Sequence, residues 1–94
     1  VLIPEEIKIG GFLIGIELVE HLVNERGNLG EYHPRTQTIK LDKDNTKQQN
    51  QETLIHEILE AVTSIYDIEM QHKDLSNMAV VLHQILLDNE GLSK

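Results

Sequence analysis

The sequence predicts an α+β domain, with a small antiparallel or mixed sheet of three or four strands followed by two packed helices. Two observations predict it. Up to about Asp42, apolar residues recur at every second position between glycines and turn residues, which is strand spacing. After Asp44 they recur three and four residues apart, which is the spacing of a helix with one buried face. With 94 residues there is room for a single core, so the chain reads as one domain.

Ile7-Lys8-Ile9 is a short alternating segment that ends at the bend Gly10-Gly11. Phe12, Ile14, Ile16 and Leu18 then share one strand face, which should be buried, while Leu13 and Val19 imply partial cover on the other. Asn24 to Gly30 reads as a loop. Residues 29–33 and 37–41 flank Pro34-Arg35-Thr36 and predict an antiparallel hairpin with a loop of three or four residues. Thr46 is the expected N-cap of a first helix over Lys47 to Tyr66. A connector from Asp67 to Lys73 follows, with Asp74 as the expected N-cap of the second helix. Leu75, Met78, Ala79, Leu82, Ile85 and Leu86 form the expected buried stripe of that helix, and Gly91 its C′ residue.

Composition narrows the function. Sixteen acidic against eight basic residues give a formal net charge of -8, which argues against nucleic acid or an anionic membrane surface as a partner. The absence of cysteine excludes disulfides, thiolate zinc sites and thiol nucleophiles. No apolar run approaches the roughly 20 residues of a membrane span. Val1 to Gly10 lacks the pattern of a signal peptide, so a soluble cytoplasmic protein is expected. A chain this short buries only about 60–65% of its unfolded surface, so a homodimer or a bound metal would add needed stability.

One segment carries chemistry: His56-Glu57-Ile58-Leu59-Glu60. Helix residues four apart have Cβ atoms about 5–6 Å apart on one face, so His56 and Glu60 can bind the same ion. The residue after the first ligand points about 100° away and can reach a water as general base. This is the logic of the zinc-peptidase signature H-E-x-x-H, with Glu60 in place of the second histidine. Thr53, His56, Glu57, Glu60, Thr63, Ser64 and Asp67 share an arc that would also suit a plain solvated helix face.

The surrounding residues resemble a known family. Gly30-Glu31-Tyr32, the run Thr36-Gln37-Thr38-Ile39-Lys40-Leu41-Asp42 and Gln51-Glu52-Thr53-Leu54-Ile55-His56-Glu57 look like the corresponding motifs of small zincin-like proteins encoded by bacteriophages and prophages. The resemblance spans roughly residues 6–90. It implies a minimal zincin-like fold, with His56 as first metal ligand and Glu57 as the catalytic base. It also implies a cleft beside the hairpin's edge strand, where a peptide or protein partner would add by strand pairing. Glu60 departs from the common second histidine. The implied cofactor is Zn2+, and the implied setting is the host-cell cytoplasm.

Catalytic zinc takes three protein ligands and leaves one position open. His72 is the expected third, because the connector must turn back past the first helix, with Asp74 and Glu69 as alternatives. His83 reads as helix surface, Tyr32 as a packing residue, and His21 and His33 receive no role. The expected function is a single divalent metal site serving peptide hydrolysis. The alternative, from another class, is a catalytically silent interaction module.

Overall fold

The alternating segments become four strands, and a computed structural model, which describes residues 3–22 and 29–93, shows how they pair. The strands are β1 (Glu6–Ile9), β2 (Phe12–Val19), β3 (Gly30–His33) and β4 (Thr38–Asp42), in spatial order β1-β2-β4-β3. Gly10 and Gly11 close the antiparallel β1–β2 hairpin, with Ile9 opposite Phe12. Gly10 has φ 60, and a Cβ there would lie 2.5 Å from the Tyr66 hydroxyl, so only glycine fits both the turn and the ring above it. β2 and β4 run parallel, with Ile16 opposite Ile39, and β3 returns antiparallel to β4, with Tyr32 opposite Ile39. The sheet is therefore mixed, and β1 and β3 are its edges. Most of the expected loop from Asn24 falls outside the described residues.

Two helices follow: α1 (Lys47–Ile65) and α2 (His72–Asp88). Ile9, Ile14, Ile39 and Leu41 from the sheet meet Leu54 and Ala61 of α1 in the core, with Ile16, Tyr32, Ile58 and Val62 packed around them. Cover is less complete than the alternation implies. Phe12 and Leu18, at the two ends of β2, are exposed, because α1 shields the middle of the strand, where Ile14 is fully buried. On the opposite face Val19 is half-buried but Leu13 is exposed.

Thr46 caps α1 as expected, its hydroxyl accepting the Gln49 N–H at 3.1 Å. The buried Asn50 side chain donates to the Asp42 carbonyl at 3.0 Å, and Asn45 donates both to Asn50 and to the Leu29 carbonyl. These bonds tie the start of α1 to the end of β4 and the approach to β3. At the other end Asp67 adopts the left-handed φ of 52, and the Ile68 N–H reaches back to the Thr63 carbonyl at 2.9 Å. That six-to-one bond is the mark of a Schellman turn, and it folds the chain back along α1.

α2 departs from expectation in four respects. It begins at His72, so Asp74 lies in its first turn and is not the N-cap; Gln71 is, without a side-chain bond. Asp74 there still favours the positive end of the helix dipole. The buried stripe is Leu75, Ala79 and His83, while Met78 is exposed. His83 is only 4% exposed, which corrects its reading as surface. The helix ends at Asn89, whose side chain bonds the Ile85 carbonyl, and Gly91 sits in the following 3-10 turn, not at C′. Among the described residues no helix is long and apolar enough to cross a membrane.

Gly30 sets the distance between sheet edge and α1. A Cβ at this position would lie 2.6 Å from the Thr53 methyl and 3.2 Å from the Lys40 carbonyl. Gly30→Ala should therefore cost about 1–3 kcal/mol, the usual penalty for overpacking, measured as a lowered midpoint in urea unfolding.

Candidate metal centre

β3 is an edge strand, so half of its backbone groups point away from the sheet. Leu29 and Asp42 share a ladder bond, Asp42 N–H to Leu29 carbonyl, and bonded pairs alternate from there. Gly30 and Tyr32 thus face outward, toward α1. The Tyr32 N–H donates to the Glu57 carboxylate. This bond draws the base of the expected motif against the strand edge, and Glu57 is only 8% exposed. Thr53 is buried with it, and His56 and Glu60 are half-buried. From Thr53 to Glu60 the polar arc of α1 is consequently no open solvated face, with β3 on one side and the start of α2 on the other, whereas Ser64 and Asp67 are exposed.

The Schellman turn at Asp67 carries the chain back so that α2 starts beside Glu60. His56 Nε2 lies 3.5 Å from Glu60 Oε1, and His72 Nδ1 lies 3.4 Å from the same oxygen. The two imidazoles meet edge to face with centroids 5.0 Å apart. One donor atom from each of His56, Glu60 and His72 falls within 4.8 Å of the others. Separations of 3.4 and 3.5 Å exceed good hydrogen bonds. They match the edge of a tetrahedron of ligands about 2.0–2.1 Å from its centre, roughly 3.4 Å. Asp74 and Glu69 do not belong to this group, and Glu57 stands just outside it, 3.9 Å from His56 Nε2.

Burial lowers the His56 pKa below the usual histidine range, against the opposing pull of Glu60, so its ring is neutral at pH 7. A neutral imidazole is the metal-binding form. Burial also raises the Glu57 pKa to about 7, helped by repulsion from Glu60 and Glu31, while the Tyr32 N–H pulls it down. A carboxyl poised there can both take and give a proton near neutrality. His72 is the open side of the group, its side chain 75% exposed.

A cavity of about 350 Å³ opens on these residues, lined by His56, Glu57 and His72 and extending past Thr53 to Glu52 and Leu29. Motif spacing alone singles out neither Glu52 nor the α2 residues Ser76, Ala79 and Val80 of this cavity. Glu52 was findable, since it precedes His56 by one turn on the same face. The α2 contribution depends on how the helices pack, which no local pattern encodes. Tyr32 packs against the core as expected, although its backbone serves the site. His33 bonds Glu31 at 2.9 Å, and His21 lies 3.9 Å from Glu20; neither belongs to the group of three donors. Comparison with known proteins adds no family to this geometry: no family model, curated protein or solved structure matches the chain.

Proposed function

We propose that the chain is a zincin-like protein of the phage-encoded type, acting in the cytoplasm of the host cell, with one divalent metal site and metal-dependent peptide hydrolysis as its activity. The observation that carries this reading is the convergence of His56, Glu60 and His72 beside a cavity, with both histidines at tetrahedral-edge distance from the Glu60 carboxylate and all three donors within 4.8 Å. Two imidazoles and one carboxylate suit zinc and leave one position open. A zinc ion held by these three residues would polarise a peptide carbonyl and lower the pKa of water to about 7.

The chain's own residues supply the remaining work. Glu57 lines the same cavity, and its carboxylate is oriented by the Tyr32 N–H. It takes one proton from the attacking water as the new C–O bond forms. It then gives that proton to the departing amine as the C–N bond breaks. His56 and His72 would offer ring nitrogens to that ion, and Glu60 a carboxylate oxygen.

A second reading, a catalytically silent interaction module, is favoured by one feature. Between Asp74 and Asp88 the helix α2 carries no Asp, Glu, Lys or Arg, yet Met78, Val80, Val81 and Leu87 are exposed. Such a surface suits a protein partner or a homodimer. Elemental analysis of protein purified without chelator separates the two. About one equivalent of zinc per chain is expected, and a metal-free protein that also takes up none on dialysis favours the module.

A further inference from the structure

The cavity at the centre continues beyond His56 and His72. It runs along α1 to Glu52, one turn before His56, which places the two backbones about 6 Å apart. Leu29, Ala79 and Val80 contribute aliphatic wall, and among the described residues no lysine or arginine lines the space. The Glu52 side chain is 46% exposed at the far end. Its carboxylate lies 3.8 Å from Nδ1 of the buried His83, too far for a good hydrogen bond. The carboxylate therefore keeps acceptor capacity toward the cavity. An aliphatic trough with an anion one helical turn from the reacting position matches a long side chain with a cationic tip, whose methylenes bury while its charge stays at the wet end.

We propose that this cavity is a subsite for a lysine or arginine side chain of a bound peptide, with Leu29, Ala79 and Val80 holding the stem and Glu52 the charge. The inference rests on the peptide-hydrolysis reading for where the main chain lies. It names the substrate class that reading leaves open. A net charge of -8 also draws cationic peptides toward the protein.

The test is binding, followed by amide NMR shifts of the Glu57→Gln chain with zinc and with chelator. The ligands are end-blocked alanine pentapeptides whose central residue is lysine, arginine, norleucine or glutamate. Lysine and arginine peptides should bind about tenfold more tightly than norleucine and shift the amides of Leu29, Glu52 and Val80. Glu52→Gln should erase that preference, and Glu52→Lys should turn it toward the glutamate peptide, both variants still binding zinc as their parent does. Equal binding of lysine and norleucine, no binding at all, or a preference that survives Glu52→Gln overturns the subsite. A lysine preference that maps to Glu52 in a chain that takes no zinc upholds the subsite and removes the metal centre. Zinc binding without a cation preference does the reverse.

Discussion

Zinc at a hundredfold excess over its dissociation constant should stabilise the parent chain by about 2.7 kcal/mol, because it binds the folded state alone. For a domain of this length that is a rise of roughly 10–20 °C in Tm by calorimetry, reversed by chelator. His56→Ala, Glu60→Ala and His72→Ala should each abolish the rise, since two donors leave a site that water must complete. The His72 variant is the most informative. Its side chain is largely exposed, so its loss leaves the core untouched, and a vanished zinc response reports ligation directly. If His72→Ala responds as the parent does while His56→Ala does not, the third donor lies elsewhere. If His56→Ala itself responds normally, the centre does not exist.

Glu57→Gln should show the second large effect, and its size depends on pH. The folded-state pKa of Glu57 is raised to about 7, above the ordinary carboxylate value near 4.5. Its contribution to stability is therefore fully present below about pH 4.5 and is lost as pH rises through 7. Gln does not titrate and can still accept the Tyr32 N–H. In metal-free protein Glu57→Gln should thus match the parent near pH 4.5 and exceed it by about 2 kcal/mol at pH 8, allowing for solvent at the cavity mouth. The lowered pKa of His56 acts in the opposite sense, favouring the folded state above its unfolded value near 6.5. It is common to both chains and cancels in the difference. Zinc binding should survive the substitution, and peptide turnover, assayed with zinc, should not. A difference between the two chains that is flat from pH 4.5 to 8 contradicts the assigned pKa.

Much of the arrangement was readable before any coordinates. The change of period near Asp42 marks the passage from sheet to helix, because strand and helix place side chains with different repeats. Thr46 announces the helix start through its short acceptor side chain. His56 and Glu60 follow from helix pitch alone. What local pattern did not determine was α2. Its sequence lacks charged residues over thirteen positions, so polarity does not mark which face turns inward, and Met78 was as credible a core residue as His83. The start of α2 was equally obscure, since Gln71 caps without a side-chain bond and Asp74 imitates a cap. The partnership of His72 with Glu60 rested on a plausible chain reversal. The residue that makes the reversal is Asp67, in a conformation usually left to glycine.

That α2 packs chiefly on α1, among the described residues, has a kinetic consequence. The helix can detach while the sheet and α1 keep their shared core, so the protein should open in two steps of different free energy. Backbone amides of α2 should exchange with deuterium through this partial opening, faster than those of β4 and the middle of α1. An ion gripping His72 together with His56 and Glu60 would fasten the loose helix at its first residue. Zinc should then slow exchange throughout α2 and merge its amides with the global unfolding unit.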